Sequence, residues 1–313
     1  MTSIGIVNKL YDLIIIGAGP AGLSASIYAS RYKLEHLVFG VEQGGQMNEI
    51  YEIENWPGDI SVAGKELIDR MTMHVENYGV KVQHEPVISI KKTEDNLFEI
   101  ESPRAKYGAK SLILAMGAKY RKMNIPGEKE FIGKGVSYCA TCDAMFFRDK
   151  TVVVAGGGNS AAVVALELCD FAKKIHLIHK EEKLSAEPVL MDKIKNEKKI
   201  EIIDNNNVLE IKGNEKVEKI ILDKPYNDKT YLDVDGVFIE VGTEPGVELA
   251  RKLGIETDEQ DYIKVKEDMS TNIPGVYAAG DITTGSNKFR QVLIAAAEGA
   301  IAANGAYKFV KLK

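Results

Sequence analysis

The sequence contains little cysteine, a single tryptophan and no long apolar run. Three cysteines among 313 residues are too few for the disulfide framework of a small secreted protein. No apolar stretch approaches the roughly 18 residues that a membrane-spanning helix needs. The first residues, MTSIGIVNKLYD, lack a positively charged segment followed by an apolar one, so no signal peptide is expected. These absences predict a soluble, cytoplasmic protein without a membrane segment.

The net charge and the chain length indicate which binding partners and how many domains to expect. The formal net charge is −6, which leaves no basic surface of the kind that binds nucleic acid. With 45% apolar residues the chain can bury a substantial core, and a length of 313 residues suggests two domains. The sequence therefore predicts a two-domain globular protein with no nucleic-acid partner.

A glycine-rich motif follows the first apolar segment. Residues 13–16 have no polar alternation, as expected of a strand buried on both faces, and residues 20–31 carry small side chains at helical spacing. In this setting Gly17 permits a tight turn, Gly19 lets the backbone approach a pyrophosphate, and Gly22 lets helix and strand pack closely. The motif predicts a dinucleotide whose pyrophosphate lies at the N-terminus of the helix.

The same pattern recurs further along the chain. Residues 151–155 form a second apolar strand, a helix is predicted to run to about residue 172, and IHLIH is the next strand. The three fingerprint positions and the two residues between them are Gly156, Gly158 and Ala161, with Asn159 and Ser160. Two such units predict two dinucleotides, commonly a flavin and a nicotinamide in one electron path.

A segment near the C-terminus completes the first unit. IPGVYAAGD, residues 273–281, is predicted to be a short strand that ends in Gly280 and Asp281. FRQVLIAAAEGAIAANGAY, residues 289–307, is predicted to be a helix whose small residues suit close packing. In flavoproteins an aspartate at such a strand end accepts a hydrogen bond from the ribityl chain. The alternative is a solvent-exposed aspartate in a turn.

Two of the three cysteines, Cys139 and Cys142, form a C-x-x-C pair. A structural zinc site needs four ligands, whereas Cys169 lies in a predicted apolar helix and the histidines form no matching pair. A static staple is unfavourable because so short a loop gains little closure entropy and cytosolic thiols stay reduced. The pair is therefore predicted to exchange between dithiol and disulfide, aided by a helix N-terminus that lowers a thiol pKa.

Several elements occur in one order along the chain: GAGPAG, GGQ, NWPG, CATCD, GGGNSA, GVYAAGD and FRQ. This series resembles the low-molecular-weight thioredoxin reductases, from about residue 11 to residue 308. The resemblance implies an α/β fold of two Rossmann-like, three-layer dinucleotide-binding domains, the second inserted into the first. An FAD domain would comprise residues 1–121 and 248–313, and an NAD(P)H domain residues 122–247.

The resemblance also implies roles for the cysteine pair and its neighbour. Cys142 would face the flavin and receive its electrons, and Cys139 would attack the disulfide of a protein substrate. Asp143 would move the thiol proton; a simple helix cap is the alternative for this residue. The family usually continues CDGFF, whereas this chain has CDAMFF, with Ala144 and Met145.

Further residues are implied to hold the two dinucleotides. The FAD site would comprise Gly17, Gly19, Pro20, Ala21, Gly22, Gly44, Gly45, Gln46, Asn55, Ala115, Gly117, Gly280, Asp281, Arg290 and Gln291. Glu42 is the candidate for the adenosine ribose, although it stands later than the usual acid after HLVF; a solvated loop charge is the alternative. The nicotinamide site would comprise Gly156, Gly158, Asn159, Ser160, His179 and Lys180.

The segment HKEEKLS departs from the family. NADPH-dependent members have H-R-R here and a further arginine, whereas this chain has Lys180, Glu181 and Ser185 at those three positions. Arginine binds phosphate through a bidentate fork, lysine only as a point charge, and a carboxylate here commonly binds a 2′-hydroxyl. Three electron donors are therefore possible: NADPH held by Lys180 and Lys183, NADH bound through Glu181 or Glu182, and another carrier such as ferredoxin or a deazaflavin.

The predicted function is an FAD-dependent thioredoxin reductase that passes electrons from NAD(P)H through FAD to the Cys139–Cys142 disulfide and on to thioredoxin. The alternatives are a dithiol oxidase of the same fold, a reductase with a non-nicotinamide donor, and a flavin or nucleotide sensor. The resemblance further implies a homodimer and rotation of the inserted domain about its two crossings.

Overall fold

The chain folds into two compact units in the computed structural model, which describes residues 5–312. One unit consists of Met1–Lys119 together with Pro245–Lys313, and the other of Tyr120–Glu244. The second unit is therefore an insertion within the first. The crossings expected from the sequence, after residues 121 and 247, lie a few residues further along the chain than this division.

The first segment of the outer unit contains β1 (Gly5–Tyr11), β2 (Leu13–Ile16), α1 (Pro20–Arg31), β3 (His36–Phe39), α2 (Gly64–Asn77), β4 (Val82–Gln83), β5 (Ser89–Lys92), β6 (Phe98–Glu101), β7 (Ala105–Ala109) and β8 (Leu112–Leu114). A short strand at the first crossing, β9 (Ala118–Tyr120), follows. A 3₁₀ helix, Gly45–Glu49, lies between β3 and α2.

The inserted unit contains β10 (Val136–Ser137), α3 (Ala140–Asp143), a 3₁₀ helix (Ala144–Phe147), β11 (Thr151–Ala155), α4 (Asn159–Leu168), β12 (Lys174–Ile178), α5 (Pro188–Asn196), β13 (Ile200–Ile203), β14 (Val208–Gly213), β15 (Val217–Tyr226), β16 (Lys229–Asp233) and β17 (Gly236–Ile239). At the second crossing β18 (Thr243–Pro245) pairs with β9. The last segment holds α6 (Glu248–Lys252), β19 (Val276–Ala278), a 3₁₀ helix (Gly285–Lys288) and α7 (Val292–Lys311).

Each unit is built on a five-stranded parallel sheet, and the two sheets agree in the order of four strands, whereas the edge strand β19 comes last in the outer unit and the edge strand β10 comes first in the inserted unit. The outer unit has the order β19-β8-β2-β3-β4 and the inserted unit β10-β17-β11-β12-β13. The strand before the glycine motif, β2 or β11, is central in both, and the next strand pairs on one side of it. Side chains of β2 are buried on both faces, as a parallel sheet covered by helices requires. The predicted α/β fold with two Rossmann-like units is confirmed.

Small residues let α1 and α7 pack closely together. Ala21, Ala25 and Ala29 of α1 belong to the same buried cluster as Ala302 and Ala306 of α7. Gly299 of α7 faces the backbone of α1 so closely that an added Cβ would collide with the Ala21 carbonyl oxygen. This packing brings the start of α1 and the loop before α7, which are far apart in sequence, into one region of the outer unit.

Smaller sheets flank the parallel ones. The outer unit adds the sheet β1-β7-β6-β5, and the inserted unit adds the antiparallel sheet β14-β15-β16. Within residues 5–312, none of the helices combines the length and apolarity that a bilayer span requires.

Three element boundaries differ from the sequence prediction. Helix α4 ends at Leu168 rather than near residue 172. The amides of Cys169 and Asp170 donate hydrogen bonds to carbonyl oxygens three residues earlier in the chain, which tightens the last turn. Cys169 consequently stands just beyond the helix. Strand β19 covers only the middle of residues 273–281. Helix α7 begins at Val292, later than predicted, because Gln291 has an extended backbone (φ −135°).

Candidate active site

The first glycine motif combines two crowded positions with one open position. A Cβ on Gly17, which has φ 119°, would collide with the Ala115 carbonyl oxygen, and a Cβ on Gly22 would collide with the Gly17 carbonyl oxygen. At Gly19 the nearest atom to an added Cβ is the Gly44 carbonyl oxygen, 3.8 Å away. The two crowded glycines therefore close the turn, and the third leaves open space beside the backbone at the start of α1, where Pro20 and Ala21 form the first turn.

Further predicted FAD residues meet at the carboxyl ends of β2, β3 and β8. The Gly44 amide donates to the Ala18 carbonyl oxygen at 2.9 Å, and the Ala115 amide donates to the Ile16 carbonyl oxygen at 2.7 Å. Gly44, Gly45 and Gly117 have positive φ, which glycine adopts without strain. Gln46 lies in the 3₁₀ helix that follows Gly44. Glu42 is exposed in the turn after β3.

Residues from the two ends of the outer unit come together near the start of α7. The Asn55 side-chain amide donates to Gln291 Oε1 at 2.9 Å, although the two residues are 236 positions apart. The Arg290 guanidinium lies 4.1 Å from the centre of the Tyr262 ring. Its Nε and Nη2 are buried and have no hydrogen-bond partner among the described residues. Two buried, unpaired donors are costly unless a ligand supplies the acceptors.

Asp281 stands beside these donors. Burial raises the pKa of the Asp281 carboxyl; the charge of Arg290 opposes the shift and that of Glu298 adds to it. Gly280 precedes it with φ 81° in a position where an added Cβ would lie 3.1 Å from Ala21 Cβ. The carboxyl is therefore held close to the start of α1, next to the first glycine motif.

A buried carboxylate that sequence reasoning missed supports this loop. Glu298 of α7 is 3% exposed and accepts hydrogen bonds from the Gly280 amide at 2.9 Å and the Ser286 hydroxyl at 2.8 Å. The Thr283 hydroxyl lies 3.2 Å from the same carboxylate. Ser286, Asn287 and Lys288 all have left-handed backbone conformations, and these bonds hold that strained turn. A glutamate within an otherwise apolar helix, AAAEGA, was the available signal.

The second glycine motif has the same construction. A Cβ on Gly156, which has φ 150°, would collide with the Glu240 carbonyl oxygen, whereas an added Cβ at Gly158 has nothing nearer than Ser185 Oγ at 4.0 Å. Asn159 is paired at both ends of its amide with Glu187: it donates to Oε1 at 3.0 Å and accepts from the Glu187 amide at 2.8 Å. Ser160 is exposed in the first turn of α4.

The two predicted nicotinamide-site residues that follow β12, His179 and Lys180, have different environments. His179 is buried, and its Nε2 lies 2.6 Å from Asp204 Oδ1. Its ring lies against the second glycine motif, since an added Cβ on Gly157 would come within 3.0 Å of His179 Cβ. Lys180 is exposed, and its ammonium lies 3.9 Å from the Glu181 carboxylate. The lysine therefore projects outward beside a carboxylate.

Cys139 and Cys142 form a disulfide, with their Cα atoms 5.4 Å apart. Cys142 lies on α3 and is exposed, whereas Cys139 is half-buried at the N-cap of that helix. The Cys142 amide donates to Cys139 Sγ at 3.1 Å. Across residues 5–312, no group of three or more histidine, cysteine, aspartate or glutamate side chains could hold a metal ion. The pair is thus a disulfide at the surface in which the sulfur of Cys139 accepts a hydrogen bond from a backbone amide.

Ser137, which the sequence reasoning did not single out, connects Asp143 to the disulfide. Its hydroxyl donates to Asp143 Oδ2 at 2.6 Å and accepts from the Cys139 amide at 3.1 Å. Ser137 is 4% exposed at the end of β10. Asp143 makes no capping bond with its side chain to the 3₁₀ helix that follows it, so the helix-cap alternative is wrong. The only sequence signal for Ser137 was its position two residues before the first cysteine.

Comparisons with known proteins agree with this geometry. The chain matches the family described as pyridine nucleotide-disulphide oxidoreductase over residues 11–299. A thioredoxin reductase of Listeria innocua is 40% identical over 309 residues, which cover 97% of this chain and 95% of the relative. A thioredoxin reductase of Bacillus subtilis is 38% identical, with 97% and 96% covered. The crystal structure of Lactococcus lactis thioredoxin reductase superposes with a TM-score of 0.92 at 39% identity, covering 97% of this chain and 100% of that one.

Proposed function

Because this chain belongs to the pyridine nucleotide-disulphide oxidoreductase family, we propose that it is an FAD-dependent thioredoxin reductase supplied by a nicotinamide dinucleotide. The observation that carries the proposal is the exposed Cys139–Cys142 disulfide within a unit that also carries a glycine motif with open space at Gly158. Insulin precipitation in the presence of thioredoxin and a reduced nicotinamide dinucleotide tests it. Hydrogen peroxide formed from a dithiol, without insulin precipitation, would indicate a dithiol oxidase instead.

The residues of the outer unit fit an FAD molecule. Open space at Gly19 would admit its pyrophosphate at the start of α1. The unpaired donors of Arg290 match the carbonyl and ring-nitrogen acceptors of a flavin, and Asp281 would accept from a ribityl hydroxyl. When bound, FAD supplies two-electron transfer between the nicotinamide and the disulfide. The contact between Asn55 and Gln291 would position Arg290, the neighbour of Gln291, at the flavin edge.

The cysteine pair performs thiol–disulfide exchange. Taking up two electrons and two protons, the disulfide becomes two thiols. The Cys139 thiolate attacks one sulfur of the partner disulfide, whose other sulfur leaves as a thiolate. The Cys142 thiolate then attacks Cys139 Sγ, which re-forms the pair and releases the second partner thiolate. The hydrogen bond that the Cys142 amide donates to Cys139 Sγ favours a negative charge on that sulfur. Asp143, whose carboxylate accepts a hydrogen bond from Ser137, accepts and returns the thiol proton.

Exposed apolar side chains beside the disulfide would bind the thioredoxin. Met145 and Phe146 are 63% and 64% exposed and stand three and four residues after Cys142. Burying a phenylalanine side chain contributes about 1.5–3 kcal/mol, so Phe146→Ser is expected to raise the KM for thioredoxin roughly ten- to hundredfold. Flavin reduction by the nicotinamide should not change. Leu209→Ser, at an exposed apolar position of β14, is the matched control, and equal KM values in the two variants would contradict this docking surface.

For the donor we propose NADH rather than NADPH. The carboxyl end of β12 is where a Rossmann unit distinguishes a ribose hydroxyl from a phosphate, and Glu181 and Glu182 are exposed there. Arg121 and Arg148 are the arginines within residues 120–244. Arg121 donates a hydrogen bond to the Thr243 carbonyl oxygen, and the Arg148 guanidinium lies over the Phe171 ring. Neither guanidinium is therefore available to bind a 2′-phosphate at this position.

Anaerobic titration of the flavin absorbance tests the donor directly. NADH should bleach the flavin at concentrations about tenfold or more below those of NADPH, because Glu181 repels the 2′-phosphate. Glu181→Arg should reverse that preference. Glu215→Arg, in an exposed turn of the same unit, should leave it unchanged. Preferential bleaching by NADPH would overturn the NADH proposal, and bleaching by neither would point to a carrier such as ferredoxin.

A further inference from the structure

A buried glutamate lies beneath the redox-active helix. Glu167 stands in the last turn of α4 and is 7% exposed. Helix α3 packs on α4, since Ala140 is buried in the same cluster as Val164 and Leu168. The Glu167 carboxyl shares a hydrogen bond with the side chain of Thr141, the residue between Ala140 and Cys142. A single hydroxyl therefore connects a buried carboxyl to the segment that joins the two cysteines.

Glu167 can change its charge near neutral pH. Burial raises the pKa of the Glu167 carboxyl to about 7; the Thr141 hydroxyl opposes this shift and the charge of Asp170, just after the helix, adds to it. The helix that ends here also disfavours a negative charge in its last turn.

Titratable groups on neighbouring elements have other partners or lie in solvent, and the Lys199 ammonium donates to the Cys169 carbonyl oxygen, just beyond α4, at 2.6 Å. On α3, Asp143 is bonded by Ser137. On α5, Asp192 and Lys195 are exposed and lie 3.8 Å apart. On β12, His176 faces Glu201 of β13 at 3.1 Å, and burial lowers the pKa of its imidazole.

We propose that Glu167 is a positioning residue for the Cys139–Cys142 pair, which acts through the Thr141 hydroxyl and sets the acidity of the two thiols. The inference rests on the exchange role of the pair in the proposed function. Its geometric basis is the packing of α3 on α4 and the Glu167–Thr141 hydrogen bond.

The electrostatic consequence has a definite sign. Reduction converts the disulfide, two electrons and two protons into two thiols, and loss of one proton then gives the attacking thiolate. An ionised Glu167 nearby disfavours this second negative charge and raises the thiol pKa, whereas a neutral Glu167 does not. Thiolate formation is thus restrained most at pH values above the pKa of the buried carboxyl.

The test measures thiol acidity directly. The enzyme is reduced with a phosphine, and the rate of iodoacetamide alkylation is followed from pH 5 to 9. All variants carry Cys169→Ala, so that the rate reports on the pair alone; burial already raises the pKa of the Cys169 thiol to about 12. Glu167→Gln should move the profile to lower pH by about half a unit, which corresponds to roughly threefold faster alkylation at pH 7.

Changes at Thr141 provide a second, independent arm. Thr141→Val removes the hydroxyl that stabilises the ionised carboxyl, so Glu167 stays neutral to higher pH and the profile should shift in the same direction. Thr141→Ser keeps the hydroxyl and should restore the wild-type profile. A purely structural role would lower the melting temperature of these variants and leave the pH profile in place.

Glu215→Gln is the matched control, because it makes the same chemical change at an exposed turn of the same unit. Coincident profiles for Glu167→Gln and the parent, or an equal shift in Glu215→Gln, would overturn the inference. The alkylation assay uses neither a nicotinamide nor thioredoxin. A chain that fails to reduce thioredoxin but shows the Glu167 shift would therefore count against the proposed function alone.

Discussion

Replacing Cys142 by serine is expected to abolish thioredoxin reduction while leaving FAD bound. The variant cannot form the Cys139–Cys142 disulfide, so no exchange cycle can be completed, and turnover should fall at least about a thousandfold. The residues that fit FAD, among them Gly19 and Arg290, belong to the outer unit, whereas Cys142 belongs to the inserted one. Insulin reduction and the flavin absorption spectrum measure the two effects separately.

The third cysteine supplies the control for this experiment. Cys169 is half-buried, and its thiol donates to the Ala165 carbonyl oxygen at 3.2 Å. Burial raises the pKa of this thiol to about 12, so it carries no thiolate near neutrality. Cys169→Ser should therefore keep most of the turnover. Wild-type turnover in Cys142→Ser would refute the assignment of the redox pair.

The second prediction concerns the two open glycines. Gly19→Val should give a folded protein that purifies without FAD, because an added Cβ meets no atom closer than 3.8 Å and the valine side chain would occupy the space that a pyrophosphate needs. Gly158→Val should keep FAD but lose reduction by the nicotinamide dinucleotide, for the same reason in the inserted unit. Both glycines have negative φ, so valine introduces no backbone strain at either position. Flavin content and anaerobic bleaching distinguish the two variants.

Gly22→Ala separates loss of the ligand from loss of the fold. A Cβ at Gly22 collides with the Gly17 carbonyl oxygen, so this change should lower the free energy of unfolding by roughly 1–3 kcal/mol. Urea titration measures that difference, and Gly19→Val should stay close to the apo wild type. If Gly19→Val retains a full complement of FAD, the pyrophosphate does not lie at this turn.

Local patterns in the sequence determined the elements around both glycine motifs. The predicted strand at residues 13–16, the helix at 20–31 and the strand at 151–155 have the bounds that the structure shows. Such patterns are informative because burial on both faces, glycine backbone freedom and helix starts depend on neighbouring residues. The predicted end of α4 and the predicted start of α7 were less accurate. The tightened last turn of α4 and the extended backbone of Gln291 before α7 both follow from contacts made on folding.

Sequence alone also determined the C-x-x-C pair that forms the disulfide and both glycine motifs, because those residues are adjacent or a few positions apart. Only the tertiary structure decided which side chains meet across long separations: Asn55 with Gln291, and Glu167 with Thr141. It alone showed that two buried donor atoms of Arg290 have no hydrogen-bond partner within residues 5–312. These facts depend on how distant elements pack, and side-chain partners are set by that packing rather than by the residues next to them in the chain.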